Sequence, residues 1–304
     1  MNRVDGGVSR AVGNGGGTDL KVVAAAAITV LFWASAFIAI RFAGPHYDPG
    51  AMALLRMLIG TLGLGIIAAH QGIKLPPRRD VPLVIAWGVG WFCLYNLALN
   101  TAELSIDAGT ASMIVNTAPL MVVIFAGLLL GEGFPRALLI GAPISFLGVV
   151  LIGSQSPTGH IEPLGLLLAV AAAVLYAGCT LLQKRLLRTV DATTLTWLGA
   201  AAGTVALLPW AGRMMRDVGT APTGATLAVV FLGVFPTAVA FTTWSYVLAR
   251  SSAGRTSAIT YASPAVTILL SWLILAEVPT LVMLIGGALC LLGVFITRMS
   301  RSDA

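Results

Sequence analysis

Ala108-Gly109-Thr110-Ala111-Ser112, then Pro119, then Leu130-Gly131-Glu132, then Leu147-Gly148-Val149: these residues punctuate positions 105–155. The pattern returns without a gap 145 positions later, between 251 and 299. There it reads Ala253-Gly254-Arg255-Thr256-Ser257, Pro264, Leu275-Ala276-Glu277 and Leu292-Gly293-Val294. About 14 of 45 aligned positions are identical. Apolar composition alone would match Leu with Leu and Gly with Gly. It would not match a Pro and a Glu at fixed spacing, so the chain reads as an internal duplication. The earlier parts agree too. Leu31-Phe32-Trp33-Ala34 through Arg41 aligns, 143 positions on, with Val174-Leu175-Tyr176-Ala177 through Lys184. An aromatic falls on an aromatic and a cation on a cation.

The solvent of this protein follows from its composition. Of 304 residues, 58% are hydrophobic and 10% charged, with mean hydropathy +0.93. Soluble domains carry about 25% charged residues. Such a chain needs a second, apolar solvent, which makes it an integral membrane protein. The net charge of +6 does not indicate nucleic acid, because the basic residues sit in short runs between apolar spans. Cys93, Cys179 and Cys290 all lie inside apolar runs and read as small core residues, not as a disulfide or metal framework.

Residues 1–20 read as a Gly-rich polar tail, and 300–304 as a second short tail. The run 22–40 is too long for a typical secretory signal and is expected to be retained. Nine further apolar runs follow, near 50–69, 81–101, 108–130, 137–153, 163–183, 192–210, 225–248, 256–276 and 279–297. They lack the alternation of barrel strands, so helices are expected. The expected fold is therefore an all-α integral membrane protein with ten transmembrane helices. With the N-terminus inside, fourteen Lys and Arg fall on cytoplasmic segments and three, Arg41, Arg213 and Arg216, on external ones. Both termini are expected in the cytoplasm. Arg213 and Arg216 run against that trend. Each repeat, 21–155 and 156–299, holds five spans. Five is odd, so the second copy must enter the membrane from the opposite side. Two inverted five-helix halves with a site between them near the midplane are typical of secondary transporters.

Phe32-Trp33-Ala34-Ser35-Ala36-Phe37 ending in Arg41, and Ala53-Leu54-Leu55-Arg56, resemble the first two spans of EamA-type carriers of the drug/metabolite transporter superfamily. The doubled Ala-Gly…Ser, Pro and Leu-x-Glu pattern resembles that family's fourth and ninth spans. The resemblance covers residues 21–298. Tyr176 stands where the first half has Trp33 and departs from the pattern. The family implies two inverted bundles and export of small metabolites, often amino acids, from the cytoplasm across the plasma (inner) membrane.

The residues show little support for catalysis. His46, His70 and His160 fall at loop edges, with no Ser/His/Asp or Cys/His set. Gly131-Glu132-Gly133-Phe134-Pro135-Arg136 lacks the Gly-Lys-Ser/Thr of a phosphate cradle, so no ATP, cofactor or metal is expected. The expected function is a secondary exporter working by alternating access. The alternative is a non-transporting membrane component, a lipid-handling or assembly protein.

Arg56 is the one charge well inside a span. It reads either as a snorkelling cation or as an anchor for a carboxylate or helix end. Glu132 and Glu277 close spans four and nine, where a carboxylate caps the following helix or carries a coupling ion. Glu103 and Asp107 read as rim charges. No acidic residue lies mid-span, so protons, the candidate coupling ion, have no carboxylate relay in the sequence, and facilitated diffusion is the alternative. Pro119 and Pro264 stand at equivalent mid-span places, as packing kinks or as gating breaks beside a cavity. The expected solute pocket is Trp33, Tyr95, Tyr176, Trp244 and Tyr261 as aromatic walls, with Asn96 and Asn116 as orienting amides. Interfacial belts and helix-bridging amides are the alternative for these residues.

Overall fold

The structure is a computed structural model and describes residues 15–102, 104, 114–154, 163–275 and 278–299. Among these residues the chain is helical, without a strand. Ten apolar helical segments follow one another. They are α1 (Gly15–Ala43), α2 (Pro49–Gln71), α3 (Val81–Ala102), α4 (Ala118–Leu129), α5 (Arg136–Gly153), α6 (Pro163–Leu186), α7 (Ala192–Thr220), α8 (Thr223–Arg250), α9 (Ala253–Ile274) and α10 (Leu281–Thr297). Eight are long and apolar enough to cross a membrane, and α4 and α10 are shorter. Glu277, Glu103, Asp107 and the Ala108–Ser112 motif lie outside the described residues.

Local chemistry sets the ends of the helices. Asp48 caps α2 by accepting from the Gly50 and Ala51 amides, with Pro49 at the first helical position. Asp191 caps α7 through Thr194, and Ser252 caps α9 through Arg255. Gly131 and Gly133 both have φ +68°, a left-handed conformation open to glycine, and place Glu132 between them at the α4–α5 turn. The outer faces stay apolar: Leu62, Ile66, Leu128, Leu167, Leu273 and Phe295 are all exposed. Such a surface suits hydrocarbon, not water.

The duplication is written into the packing. A methyl group placed on Gly141 would lie 2.5 Å from the Gly293 carbonyl oxygen, and one on Gly286 would lie 2.7 Å from the Gly148 oxygen. Gly141 and Gly286 are repeat equivalents, as are Gly148 and Gly293. The contacts of α5 on α10 are therefore returned by α10 on α5. At the centre, Ser145 Oγ donates to the Cys290 carbonyl at 3.1 Å and Cys290 Sγ to the Ser145 carbonyl at 3.4 Å. These two positions are also 145 apart. Reciprocal contacts between equivalent residues are the signature of a two-fold axis, which passes here between Ser145 and Cys290. Without glycine the backbones could not come this close, the usual device for joining helices in lipid.

The same relation recurs elsewhere. Gly60 of α2 packs on Gly233 and Thr237 of α8, while its equivalent Gly203 of α7 packs on Gly88 and Phe92 of α3. The Thr61 and Thr204 hydroxyls, 143 positions apart, share a 2.8 Å hydrogen bond. The second half carries two extra residues between Thr204 and Gly233, which is why the offset changes from 143 to 145.

One reading gains a partner and one expectation is corrected. Arg213, which the charge count places outside and against its trend, pairs with Asp48 at 2.9 Å, and Asp217 accepts from the Asp48 amide. The Arg213 charge is locally neutralised and so carries little weight in the orientation argument. Glu132 does not cap the helix that follows it. Its carboxylate reaches across to α9, as described below.

The seam predicts an asymmetric response to added methyl groups. Gly148→Val should lower the thermal unfolding temperature of detergent-solubilised protein, at a cost of about 1–3 kcal/mol or more. Gly178→Ala, where nothing lies within 4 Å of the new methyl, should leave stability unchanged or raised. Wild-type stability of Gly148→Val would contradict the close α5–α10 approach.

Candidate functional site

Two helices are interrupted at matching places by π-helical turns, Val89–Tyr95 in α3 and Gly233–Val239 in α8. Their bounds lie 144 residues apart. A π turn leaves carbonyls without their usual donor, and such turns gather at functional sites. In α8 the cause is visible: Pro236 has no N–H to give the Leu232 carbonyl. The Thr237 hydroxyl donates to that carbonyl instead, at 2.8 Å. The Pro236 carbonyl accepts from Trp33 Nε1 of α1 at 3.2 Å. In α3 the Asn96 amide donates to the Trp91 and Phe92 carbonyls at 3.1 and 3.2 Å.

An aromatic network fills the space between these turns. Trp33 lies 5.0 Å from Trp244 and 5.3 Å from Phe241 between ring centroids. Tyr176 of α6 lies 5.4 Å from Trp91, 6.3 Å from Tyr95 and 6.4 Å from Trp244. Trp91 and Trp244 are fully buried, whereas Trp33 and Tyr95 are partly open. Below the rings, Gln183 accepts from Trp244 Nε1 at 3.0 Å and donates to Ser245 at 2.8 Å, and Ser245 bonds Thr196 at 2.7 Å. This chain of buried polar groups is satisfied within the protein and ties α6, α7 and α8 together.

The two prolines mark breaks rather than bends. The chain is helical at Ile114 and Val115, turns at Asn116 and Thr117, and resumes as helix at Ala118. In α9 the first helical part is Ala253–Ile259, Thr260 and Tyr261 turn, and helix resumes at Ala262. Both turns are closed by short hydrogen bonds: the Thr117 amide donates to Ile114, and the Thr260 and Tyr261 amides to Ser257 and Ala258. The Tyr176 hydroxyl lies 3.5 Å from the Thr260 hydroxyl, so the α9 break meets the aromatic network. Tyr95, Ile114 and Val115 pack against the same buried cluster of α3 and α6, which includes Ala98, Leu99 and Ala172. Discontinuous helices at corresponding places in two halves are the best single pointer to a transporter site.

At one end of this assembly two charges hold the α8–α9 turn, and one of them, Glu132, reaches it from the other repeat. Glu132 Oε1 accepts from the Ala253 amide at 2.7 Å, and Oε2 from the Gly254 amide at 3.2 Å. The carboxylate thus caps the start of α9, in the other repeat. Lys184 Nζ donates to the Leu248 and Ser251 carbonyls at the end of α8. The α8–α9 turn is held from both sides.

The expected pocket residues separate into three settings. Trp33, Tyr95, Tyr176 and Trp244 come together in one network. Asn96 is there too, but its amide is occupied by the carbonyls of its own helix. Tyr261 is fully buried among Phe146, Ala265, Cys290 and Leu120, on the α5–α10 side of the α9 break. Asn116 is half-buried at the α4 break. Trp91 and Gln183 escape a reading that pairs polar or aromatic residues through the duplication, because their equivalents are Pro236 and Ile40. Phe92 with Thr237 and Asn96 with Phe241 are pairs of the same kind as Asn116 with Tyr261, and the duplication signals them. For Trp91 the usable clue is Pro236, a proline within a long apolar run.

The EamA-like transporter family model matches residues 20–154 and again 163–299. A relative described as a probable terminal-alkyne amino-acid exporter, from Streptantibioticus cattleyicolor, is 34% identical over 277 residues, covering 91% of this chain and 93% of that one. The uncharacterized transporter YdfC of Bacillus subtilis is 31% identical over 283 residues, 92% of each chain. The aromatic amino acid exporter YddG of Ancylobacter novellus is 27% identical over 247 residues, 79% of this chain and 84% of that one. A crystal structure superposes with a TM-score of 0.77 at 21% identity, covering 92% of this chain and 97% of the other. At that identity the likeness speaks for the fold alone.

Proposed function

The chain belongs to the EamA-like transporter family, and on that premise we propose that it exports small metabolites, amino acids or related compounds, by alternating access between its two halves. It is a multi-pass membrane protein. The observation that carries the mechanism is the pair of helix breaks at Asn116–Thr117 and Thr260–Tyr261, beside the π turns of α3 and α8. Broken helices offer backbone groups at mid-span without a lipid-exposed cost, provided that they line protein or a cavity. In this reading the solute sits where the breaks, the π turns, Trp33, Tyr95 and Tyr176 converge. Asn116 flanks it at the α4 break, Tyr261 anchors the α9 break to the α5–α10 core behind it, and Pro119 and Pro264 hold each break in place. Ten crossings, with both termini in the cytoplasm of the plasma membrane, accommodate the charge distribution. The Glu132 and Lys184 contacts then lie on the cytoplasmic side. Opening that side requires Glu132 to release the Ala253 and Gly254 amides. Protons are the candidate coupling ion, and no ATP site is assigned.

Purified protein in liposomes should exchange at least one labelled amino acid in counterflow, and Asn116→Ala should lose most of that exchange while unfolding at the wild-type temperature. If a panel of amino acids and related metabolites shows no exchange in either direction, the exporter reading fails.

The orientation has its own test. A cysteine at Gly219 should label from outside intact cells. One at Gly254, buried beneath Glu132, should label only from the cytoplasmic side, and faster when transported solute is present. A methyl group there meets the flexible end of Leu138 at 2.9 Å, so the substitution is tolerable. External labelling at 254 would overturn the orientation. A rate indifferent to solute would remove Glu132 from the opening step.

A further inference from the structure

Arg56 is a cation and the eighth residue of α2, an apolar helix. Insertion scales place an arginine at mid-membrane about 2.5–3.5 kcal/mol uphill, unless protein or water receives it. A snorkelling side chain would run along the lipid face toward the surface. Arg56 does not: its Nε donates to the hydroxyl of Thr237, 2.8 Å away in α8, and Thr237 is fully buried. The side chain therefore points inward, to the π turn of α8. It also lies within electrostatic reach of Tyr95, in the π turn of α3. Arg56 thus sits between the two interrupted helices, at the Tyr95 end of the aromatic network, and is only half-buried.

The surroundings leave part of the guanidinium unused. Among the described residues no carboxylate is within ion-pair distance of it, and its hydrogen bond is the one from Nε. Thr237 passes its own proton to the Leu232 carbonyl, so it offers Nε a fixed lone pair. The Nε bond fixes the plane of the guanidinium and leaves the terminal amino groups as an unoccupied fork. The equivalent position in the other half is Gly199, whose space is filled by the Trp87 ring. Among the described residues, Arg56 is therefore the cation that bonds the π turn of α8 and interacts with Tyr95 in the π turn of α3.

We propose that Arg56 is the carboxylate subsite of the transport site. Its terminal amino groups take the two oxygens of a small carboxylated solute, while Nε stays on Thr237. A planar fork on a carboxylate is the strongest pairing available to arginine, and its strength rises in a water-poor interior. The proposal rests on the exporter reading and adds the substrate class: solutes with a free carboxylate, oriented with that group toward α2 and the remainder toward Tyr95, Tyr176 and Trp33.

The test pairs acids with their amides. The twenty common amino acids and their α-carboxamides are compared by thermal unfolding shift on purified protein and by counterflow in liposomes. Wild type should bind at least one acid about 10- to 100-fold more tightly than its amide, the range expected for a hydrogen-bonded charge. Arg56→Gln should lose that preference through weaker binding of the acid, with the amide unchanged, and Arg56→Lys should keep part of it. If Arg56→Gln does not fold, Thr237→Val takes its place. It unpins the fork but keeps the charge, and acid affinity alone should fall severalfold. Amides bound as tightly as acids by wild type, or an equal loss of both in the variants, would overturn the subsite. Export of uncharged solutes only would overturn the subsite and leave the exporter reading intact. Absence of all exchange would defeat the exporter reading, and the acid–amide comparison in binding would still decide on Arg56.

Discussion

The contact on which the architecture depends is the close crossing of α5 and α10 around Ser145 and Cys290. Gly141, Gly148, Gly286 and Gly293 bring two backbones to a separation that no other residue permits. In lipid there is little hydrophobic drive to join helices, so this backbone approach supplies the van der Waals contact that does. Because each glycine meets its own repeat equivalent's neighbour, the crossing also imposes a two-fold relation on the ten helices. Once α5 and α10 are set, α3 faces α7 as α8 faces α2. The two π turns and the two helix breaks then fall to either side of one axis.

That geometry explains how a bundle with so few charges assembles a polar interior. The freed carbonyls of the π turns are received by Trp33, Asn96 and Thr237, each a side chain of modest polarity placed where a backbone donor is missing. Gln183, Ser245 and Thr196 close a separate chain of hydrogen bonds. Polar groups of this kind serve the fold first, since an unpaired group in such a medium costs more than the bond returns. Arg56 differs because its charge exceeds what its surroundings absorb. Glu132 differs as well, since its carboxylate joins the two repeats and not the two ends of one turn.

Much of this was legible in the sequence. The membrane solvent, the helical class, the duplication and its pairing of Pro119 with Pro264 all follow from spacing and composition. Of the seven residues expected at the pocket, the structure brings the rings of Trp33, Tyr176, Tyr95 and Trp244 together, and their contact with a solute is a proposal. Other features could not be read because they depend on which helix lies opposite. Glu132 sits four residues before the start of α5, so capping α5 is the natural reading, yet the two-fold axis presents it with α9. Arg213 looks like a stray external charge until Asp48 is seen beside it. Tyr261 pairs with Asn116 in register, but a register match does not say which face a ring takes, and its ring turns into the α5–α10 core. Trp91 and Gln183 are invisible to a symmetry search because their equivalents are Pro236 and Ile40. The pseudo-symmetry relates positions, whereas the side chains at those positions have diverged.

The central claim is that a solute occupies the space between the two halves, beside the helix breaks. The most direct measurement is an experimental structure of the protein with a transported amino acid bound. The account predicts ligand density bounded by the α3 and α8 π turns and the α4 and α9 breaks, with its carboxylate against Arg56. Density confined to one repeat, or on the lipid face of the bundle with the space between the breaks closed, would contradict it.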